Sequence, residues 1–412
     1  MTGKTVVVLG GGTGGIVAAN SLRANLGREH RVVLVEKNAL HTFAPSFLWL
    51  MTGARRRAQI TRDLRVLVRR GVDVVCAEIT ALDLDGRRVE TTGPSLSFDF
   101  LVVALGAELA PEAVPGLADA DTFYTLEGAE KLNLALSRFA GGTAIVLVSA
   151  MPYKCPGAPH EAAMLIADTL RRRGLEGRAE IHVYTPEPQP MPVAGPELGE
   201  AVKRMLASMR ISFHPLHKLA SVDAKSRSLV FEGRPPVQYD LLAVVPPHRG
   251  PKLLRAAGLA NESGWAPVDR STLRTKRENV YAIGDATTIA IPGRWKPDVP
   301  MMLPKAGVFA HAQGEIVAQR IAADIEGLSC HARFAGMGYC ALEAGDGVAG
   351  FADGDFFAEP SPKVRLRKMG RTWHLGRFMF EQWWLSPFGL KRELLRLALQ
   401  AGGKTLGIPM TL

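Results

Sequence analysis

Cysteine is scarce in this chain: Cys76, Cys155, Cys330 and Cys340 are the only four among 412 residues. So few thiols in so long a chain exclude a secreted disulfide framework. None sits in a zinc-type pair, so no metal site is expected. No apolar run approaches the roughly 20 residues that cross a bilayer as a helix. The first strand begins almost at once, so no signal peptide is expected. Low-complexity stretches are missing too, and with 47% hydrophobic residues the chain has material for two or three packed units.

Charge is nearly balanced outside one segment. The net charge is +10, and residues 361–412 carry ten Lys or Arg against Glu381 and Glu393. That segment alone supplies eight of the ten net positive charges, so the basicity is a local device and not a property of the whole surface. No recognised module carries the charge, so no nucleic-acid partner is expected.

The chain is organised around its first forty residues. Thr5 to Leu9 is a short β-branched run of the kind a buried parallel strand needs. It leads into Gly10, Gly12 and Gly15, spaced G-x-G-x-x-G, then a helical segment from Ile16 to Leu26 and a second apolar strand ending on Glu36. Strand, glycine turn, helix, strand and acid together form a dinucleotide fingerprint. The glycines admit a pyrophosphate at a helix N-terminus, and Glu36 is placed to accept from a ribose hydroxyl.

The pattern recurs. Phe98 to Ala107 reads as an aromatic-Asp strand that ends in a small-residue turn holding Ala104 and Gly106, and Tyr239 to Pro247 repeats it. Between them Thr143 to Ser149 stands where a second first strand belongs, followed by a helix and the strand Glu180 to Tyr184. Asn279 to Asp285 then returns to the first unit, delivering Gly284-Asp285 at a strand end, where the acid can reach the ribityl and phosphate part of a flavin dinucleotide. The segment from Arg55 to Arg70 is expected to be a solvated helix face. The predicted fold class is α/β, with two nested Rossmann-like domains and a C-terminal domain ending in amphipathic helices. These features resemble the flavoprotein disulfide reductase superfamily over about the first 325 residues. The resemblance implies FAD in a first domain made of residues 1–112 and 275–325, a second Rossmann-like domain at 113–274 and a C-terminal domain at 326–412.

The second unit lacks its own glycine fingerprint. Its first strand runs into Ala150-Met-Pro-Tyr-Lys-Cys155-Pro-Gly-Ala-Pro-His160-Glu161, where three prolines stiffen the loop and nothing admits a pyrophosphate. A nicotinamide cofactor is not expected there. A cysteine stands in its place, at the carboxyl end of a strand where α/β sites form. The loop is expected to be exposed, with Lys154 favouring a thiolate at Cys155. A buried structural thiol is the plainer alternative.

A proline-flanked cysteine here, with Cys340 in a turn-dense stretch (Gly336–Gly347) after the flavin domain, resembles the sulfide:quinone oxidoreductase family and the flavoprotein of flavocytochrome c sulfide dehydrogenase. The apolar loop Phe43-Ala-Pro-Ser-Phe-Leu-Trp and the lysine-bearing segment Lys305 to Gly314 resemble the same family. The resemblance implies that Cys155 and Cys340 form a redox pair acting on sulfide, that Lys305 lies near the flavin, and that electrons pass to a quinone. A third active cysteine that many members carry has no counterpart here, and neither does a cysteine for covalent flavin attachment, so FAD is expected to be non-covalent. His160 and Glu161 are candidate proton carriers.

Three of the six tryptophans and several phenylalanines share the basic tail, and Leu390 to Leu399 reads as a basic amphipathic helix. Phe378, Phe380, Trp383 and Trp384 are therefore expected to meet a membrane surface and a quinone, which makes the protein a peripheral, monotopic one on the cytoplasmic membrane. A homo-oligomer or core-capping role for the tail stays open. So do three other readings: a haem-linked sulfide dehydrogenase subunit, a type II NADH:quinone reductase, and a flavin-binding scaffold with inert cysteines.

Overall fold

The computed structural model describes residues 3–296, 299–408, 410 and 412. The first sheet is built from β1 (Thr5–Leu9), β2 (Arg31–Glu36), β3 (Val72–Cys76), β4 (Phe100–Val103) and, from far along the chain, β9 (Val280–Ala282). All five pair in parallel in the order β9-β4-β1-β2-β3. The residues of β1 and β4 read as unbroken apolar runs because both faces of the sheet are covered. One face is covered by two helices that cross closely: α1 (Thr13–Asn25) and α6 (Gly307–Glu326). A Cβ on Gly314 would stand 2.8 Å from the carbonyl oxygen of Gly14, so only glycine lets these backbones approach so nearly.

A second parallel sheet holds β5 (Gly142–Val148), β6 (Ala179–Tyr184), β7 (Ile211–His214) and β8 (Leu241–Val245), in the order β7-β6-β5-β8. Helices α4 (Ala158–Arg172) and α5 (Pro196–Ser208) connect its strands, and α3 (Leu126–Arg138) precedes β5. Both sheets therefore present the carboxyl ends of their strands as binding edges, the arrangement expected of paired Rossmann-like units.

The remaining chain forms an antiparallel meander of β10 (Met337–Gly345), β11 (Val348–Asp355) and β12 (Lys363–Gly370). It ends in two helices, α7 (Arg371–Trp384) and α8 (Leu390–Leu406). The glycine-dense stretch around Cys340 is thus a strand and not a run of turns. Its glycines make room for aromatic rings: a Cβ on Gly338 would lie 2.5 Å from the Phe309 ring.

Two expectations about basic and aromatic residues are corrected. The segment from Arg55 to Arg70 is no single solvated helix. It breaks into short turns, Arg57–Ile60 and Leu64–Leu67, around a small strand at Thr61–Asp63. Arg55 turns inward and makes a bidentate pair with the fully buried Glu381 of α7, at 2.8–3.1 Å. Trp383 and Trp384 are core residues, 4% and 2% exposed, and not interfacial anchors. The Trp384 Nε1–H donates to His41 Nε2 at 2.9 Å, and His41 Nδ1 lies 3.0 Å from the Gly11 carbonyl oxygen. With Nε2 accepting, the ring is the neutral Nδ1–H tautomer, and burial lowers its pKa further. The exposed apolar surface of the tail comes instead from Leu375, Phe378, Phe388, Leu390, Leu394 and Leu397. No helix among the described residues is long and apolar enough to cross a membrane.

This division has a direct consequence. Trp384→Ala should cost roughly 3–5 kcal/mol in equilibrium denaturation, as a large core truncation does. Phe378→Ala should cost under about 1 kcal/mol, as a surface change does.

Candidate active site

The two units and the tail enclose one cavity of about 1690 Å³. Its first wall is the glycine turn between β1 and α1. Gly10 has φ +101°, and a Cβ there would meet the Ala104 carbonyl oxygen at 2.5 Å. Gly15 has no room either, since its Cβ would run into the Gly10 carbonyl oxygen. Gly12 differs: no atom lies within 4 Å of where its Cβ would be, at the uncapped N-terminus of α1, which faces the cavity. Exposed N–H groups and open space at that point are what a dinucleotide pyrophosphate needs.

Glu36 closes β2 and accepts from the Gly11 N–H at 2.7 Å, which holds its carboxylate beside the turn. Gly106, at φ +70° with open space around it, lies along the same wall. Gly284 takes φ +69° and donates its N–H to Gln313 at 2.7 Å. Asp285 follows with its Oδ1 buried and unpartnered, an orphan acceptor suited to a hydroxyl of a bound ligand. Burial raises the Asp285 pKa, and the ammonium groups of Lys154 and Lys305 oppose that. Gly10, Gly12, Glu36, Ala104, Gly106, Gly284 and Asp285 line the cavity and Gly15 packs behind the turn, a set whose open helix N-terminus and orphan acid suit a dinucleotide such as FAD.

Lys305 precedes α6. Its Nζ donates to the carbonyl oxygens of Asp285 and Thr287 at 2.8 and 2.9 Å and sits 3.3 Å from the centre of the Trp265 ring. Burial pulls its pKa down to about 8. The N-terminus of α6 opens on the same cavity, beside that of α1. Two helix dipoles and one lysine therefore aim positive potential into it.

The loop after β5 brings in the sulfur. Cys155 takes a left-handed backbone, φ +57°, which costs a non-glycine residue about 1–2 kcal/mol. Two hydrogen bonds hold it there: its N–H donates to the Lys305 carbonyl oxygen at 2.6 Å, and the Ala158 N–H donates to its own carbonyl oxygen at 2.9 Å. Strand β10 packs across the loop, and a Cβ on Gly157 would lie 3.7 Å from Cys340 Sγ and 2.6 Å from Leu342. Cys155 and Cys340 are both free thiols that line the cavity, close enough for a charge on one to act on the other.

The loop is exposed at Met151 and Pro152 but not, as expected, at the cysteine. Cys155 is half-buried and Tyr153 fully so, with its hydroxyl donating to Glu187 at 2.8 Å. That bond ties the loop after β5 to the one after β6. Burial, with the Glu161 carboxylate beside it, raises the Cys155 thiol to about 11. The cation that opposes this is Arg377, not Lys154, whose Nζ is directed to the Tyr124 ring at 5.9 Å. Cys340 is pushed up further by burial.

Glu161 lines the same cavity and is ion-paired with Arg377; burial raises its carboxyl to about 7 while Arg377 pulls it down. Arg377 also donates to the Pro45 carbonyl oxygen at 2.8 Å and lies over the Trp49 ring. His160 is turned away: fully buried, without a partner on either nitrogen, it packs on Phe213, and burial lowers its pKa to about 4. A neutral ring sealed from the cavity cannot carry protons to it, which corrects that expectation. On the tail side Phe380 and Trp384 line the cavity, whereas Phe378 and Trp383 do not. Sequence reasoning missed Arg377, His41 and Trp265. Arg377 counted only as one of the tail's basic residues, although its place among the aromatics of α7 was a signal.

The thiols supply a test. With Cys155 titrating near 11, its iodoacetamide labelling at pH 8 should be slow and should rise about tenfold per pH unit toward 11, because only the thiolate reacts. Arg377→Met removes the opposing cation and should slow the pH 9 labelling severalfold. Labelling sites read by peptide mass spectrometry separate Cys155 from the exposed Cys76.

A model of the pyridine nucleotide-disulphide oxidoreductase family matches residues 4–314. The chain is 29% identical to the mitochondrial sulfide:quinone oxidoreductase of Mus musculus over 298 residues, which are 69% of this chain and 66% of that protein. It is 27% identical to the corresponding Dictyostelium discoideum protein, covering 69% of this chain and 65% of the other. The chain thus matches just under two thirds of the length of both. The crystal structure of the sulfide:quinone oxidoreductase from Aquifex aeolicus superposes with a TM-score of 0.83 at 26% identity, covering 92% of this chain and 90% of that one. The fingerprint at Gly10–Gly15, the paired Rossmann-like sheets and these matches lead to one conclusion: the chain belongs to the pyridine nucleotide-disulphide oxidoreductase family, within the FAD-dependent disulfide reductase superfamily that includes the sulfide:quinone oxidoreductases.

Proposed function

We propose that this FAD-dependent oxidoreductase oxidises sulfide to sulfur or polysulfide through Cys155 and Cys340 and passes the electrons to a membrane quinone. One observation carries the reading. A single cavity is lined by the glycine turn at Gly10–Gly14, by both cysteines, and by Phe380 and Trp384 of the tail. Sulfur chemistry, a dinucleotide cradle and an apolar exit thus share one compartment. The relatives named above add support, since that activity stands in their own names.

When bound, FAD supplies the two-electron acceptor that the side chains lack. Gly10, Gly12 and Gly15 would admit its pyrophosphate, Glu36 a ribose hydroxyl, and Asp285 a ribityl hydroxyl. Lys305, locked on two carbonyl oxygens, adds fixed positive potential for developing negative charge. The oxidised protein would hold Cys155 and Cys340 as a disulfide, directly or through a further sulfur. HS⁻ attacks one sulfur of that bond; the new S–S bond makes a persulfide, and the other cysteine leaves as its thiolate. Arg377 favours both anions. Glu161, whose carboxyl titrates near 7, is charged above that pH and accepts the persulfide proton.

On the far side the cavity reaches α7 and α8, lined by Phe380, Trp384 and Leu375. A quinone ring and isoprenoid chain suit those walls. The exposed leucines of α8 (Leu390, Leu394 and Leu397) and the tail's basic residues would seat the protein on an anionic bilayer without spanning it. The lack of a glycine turn after the first strand of the second unit weighs against a nicotinamide donor.

Anaerobic flavin absorbance discriminates these readings. Sulfide should bleach the flavin, a quinone should restore it, and Cys155→Ser should slow bleaching by at least about a thousandfold. Bleaching by NADH in place of sulfide would overturn the proposal.

A further inference from the structure

Beneath the sulfur pair, and outside the cavity, lies a second layer of polar side chains with no part in the chemistry above. Glu343 projects from β10, three residues past Cys340, and is 1% exposed. Its Oε2 lies 2.7 Å from His374 Nδ1, and its Oε1 is buried with no partner at all. An unsatisfied carboxylate oxygen is costly to bury and calls for a reason. His374 stands on α7 one turn before Arg377, its side chain 37% exposed and its ring edge against Trp49 at 5.9 Å.

On its inner side Glu343 is close enough to Glu161 and Arg377 for its charge to act on both. The groups around it come from three elements. Glu161 comes from α4; His374 and Arg377 come from α7; Cys340 shares its own strand. Arg55, over the far face of Trp49, is already committed to Glu381. Asp168 of α4, near Gly345, is held by Arg171 and Arg172. Read outward, the order is the cysteine pair, Glu161 with Arg377, Glu343, His374 and then solvent.

We propose that Glu343 and His374 are the proton outlet of the sulfur compartment. The inference rests on the sulfide-oxidising reading and assigns it two residues that do not touch the sulfur. When HS⁻ opens the disulfide, one S–S bond forms, one breaks, and the persulfide carries one proton that Glu161 takes. That proton must leave before Glu161 can act again. Glu343 receives it on the oxygen that now has no partner, and His374 releases it to water from its exposed side. No electrons move in this step, and the proton count closes at the solvent.

The test uses the FAD-loaded full chain in anaerobic stopped flow, with sulfide as reductant and flavin absorbance as readout, over repeated turnovers with a quinone present. His374→Ala should slow turnover about tenfold or more, within the range that positioned proton transfer contributes. Added imidazole should restore most of that loss, because a small base can replace a missing surface relay. Glu343→Gln should slow turnover similarly and not respond to imidazole, since the break lies inside. Equal flavin content in the variants would show that both fold. A His374→Ala protein as fast as wild type overturns the outlet, and so does a slow one that imidazole leaves unchanged, while sulfide bleaching in wild type keeps the parent reading intact. No bleaching of wild type by sulfide overturns both.

Discussion

The hydrogen bond from the Cys155 N–H to the Lys305 carbonyl oxygen, 2.6 Å long, joins parts of the chain 150 residues apart in sequence. It fixes the Cys155 thiol of the second unit against the residue that precedes α6 in the first. The left-handed backbone of Cys155 would relax without it, since a non-glycine residue keeps that conformation only where its surroundings impose it. Through this contact the orphaned Asp285, the lysine bound to its carbonyl oxygen and the thiol fall within one small region. Strand β10 then closes the loop from the other side and delivers Cys340.

The tail repeats this logic on a larger scale. Helix α7 is held to the segment after β2 by Arg55 to Glu381, by Arg377 to Pro45 and by Trp384 to His41. Buried ion pairs are poor sources of net stability but good at imposing one arrangement. Here the arrangement sets two tail aromatics in the cavity wall while Leu390, Leu394 and Leu397 of α8 face outward. One element is thus both a wall of the compartment and, in our proposal, the protein's seat on the membrane. The His41 tautomer links that wall to the glycine turn through the Gly11 carbonyl oxygen.

The first unit was readable because its constraints are local. Gly10 needs a positive φ, Gly15 packs on a carbonyl, and Glu36 follows at fixed spacing, so residue type and spacing suffice. Cys155 was visible for the opposite reason, as the wrong residue where a glycine turn belongs. What the sequence could not show depends on burial contributed by distant segments. The thiol's high pKa comes from β10 and Glu161, and Lys154 points elsewhere. The burial of Trp383 and Trp384, like the inward turn of Arg55, follows from where α7 docks. Composition marked that tail as basic and aromatic without saying which aromatics face out. The glycines around Cys340 misled because they accommodate Phe309 and Phe357, which come from elsewhere in the chain.

In our proposal Cys155 and Cys340 act as one redox pair in a shared compartment. Peptide mapping by mass spectrometry, on air-oxidised protein before and after anaerobic sulfide, tests it most directly. The two cysteine peptides should be joined in the oxidised protein, directly or through added sulfur, and released when sulfide is added without quinone. Two free, unlinked thiols under both conditions would contradict it.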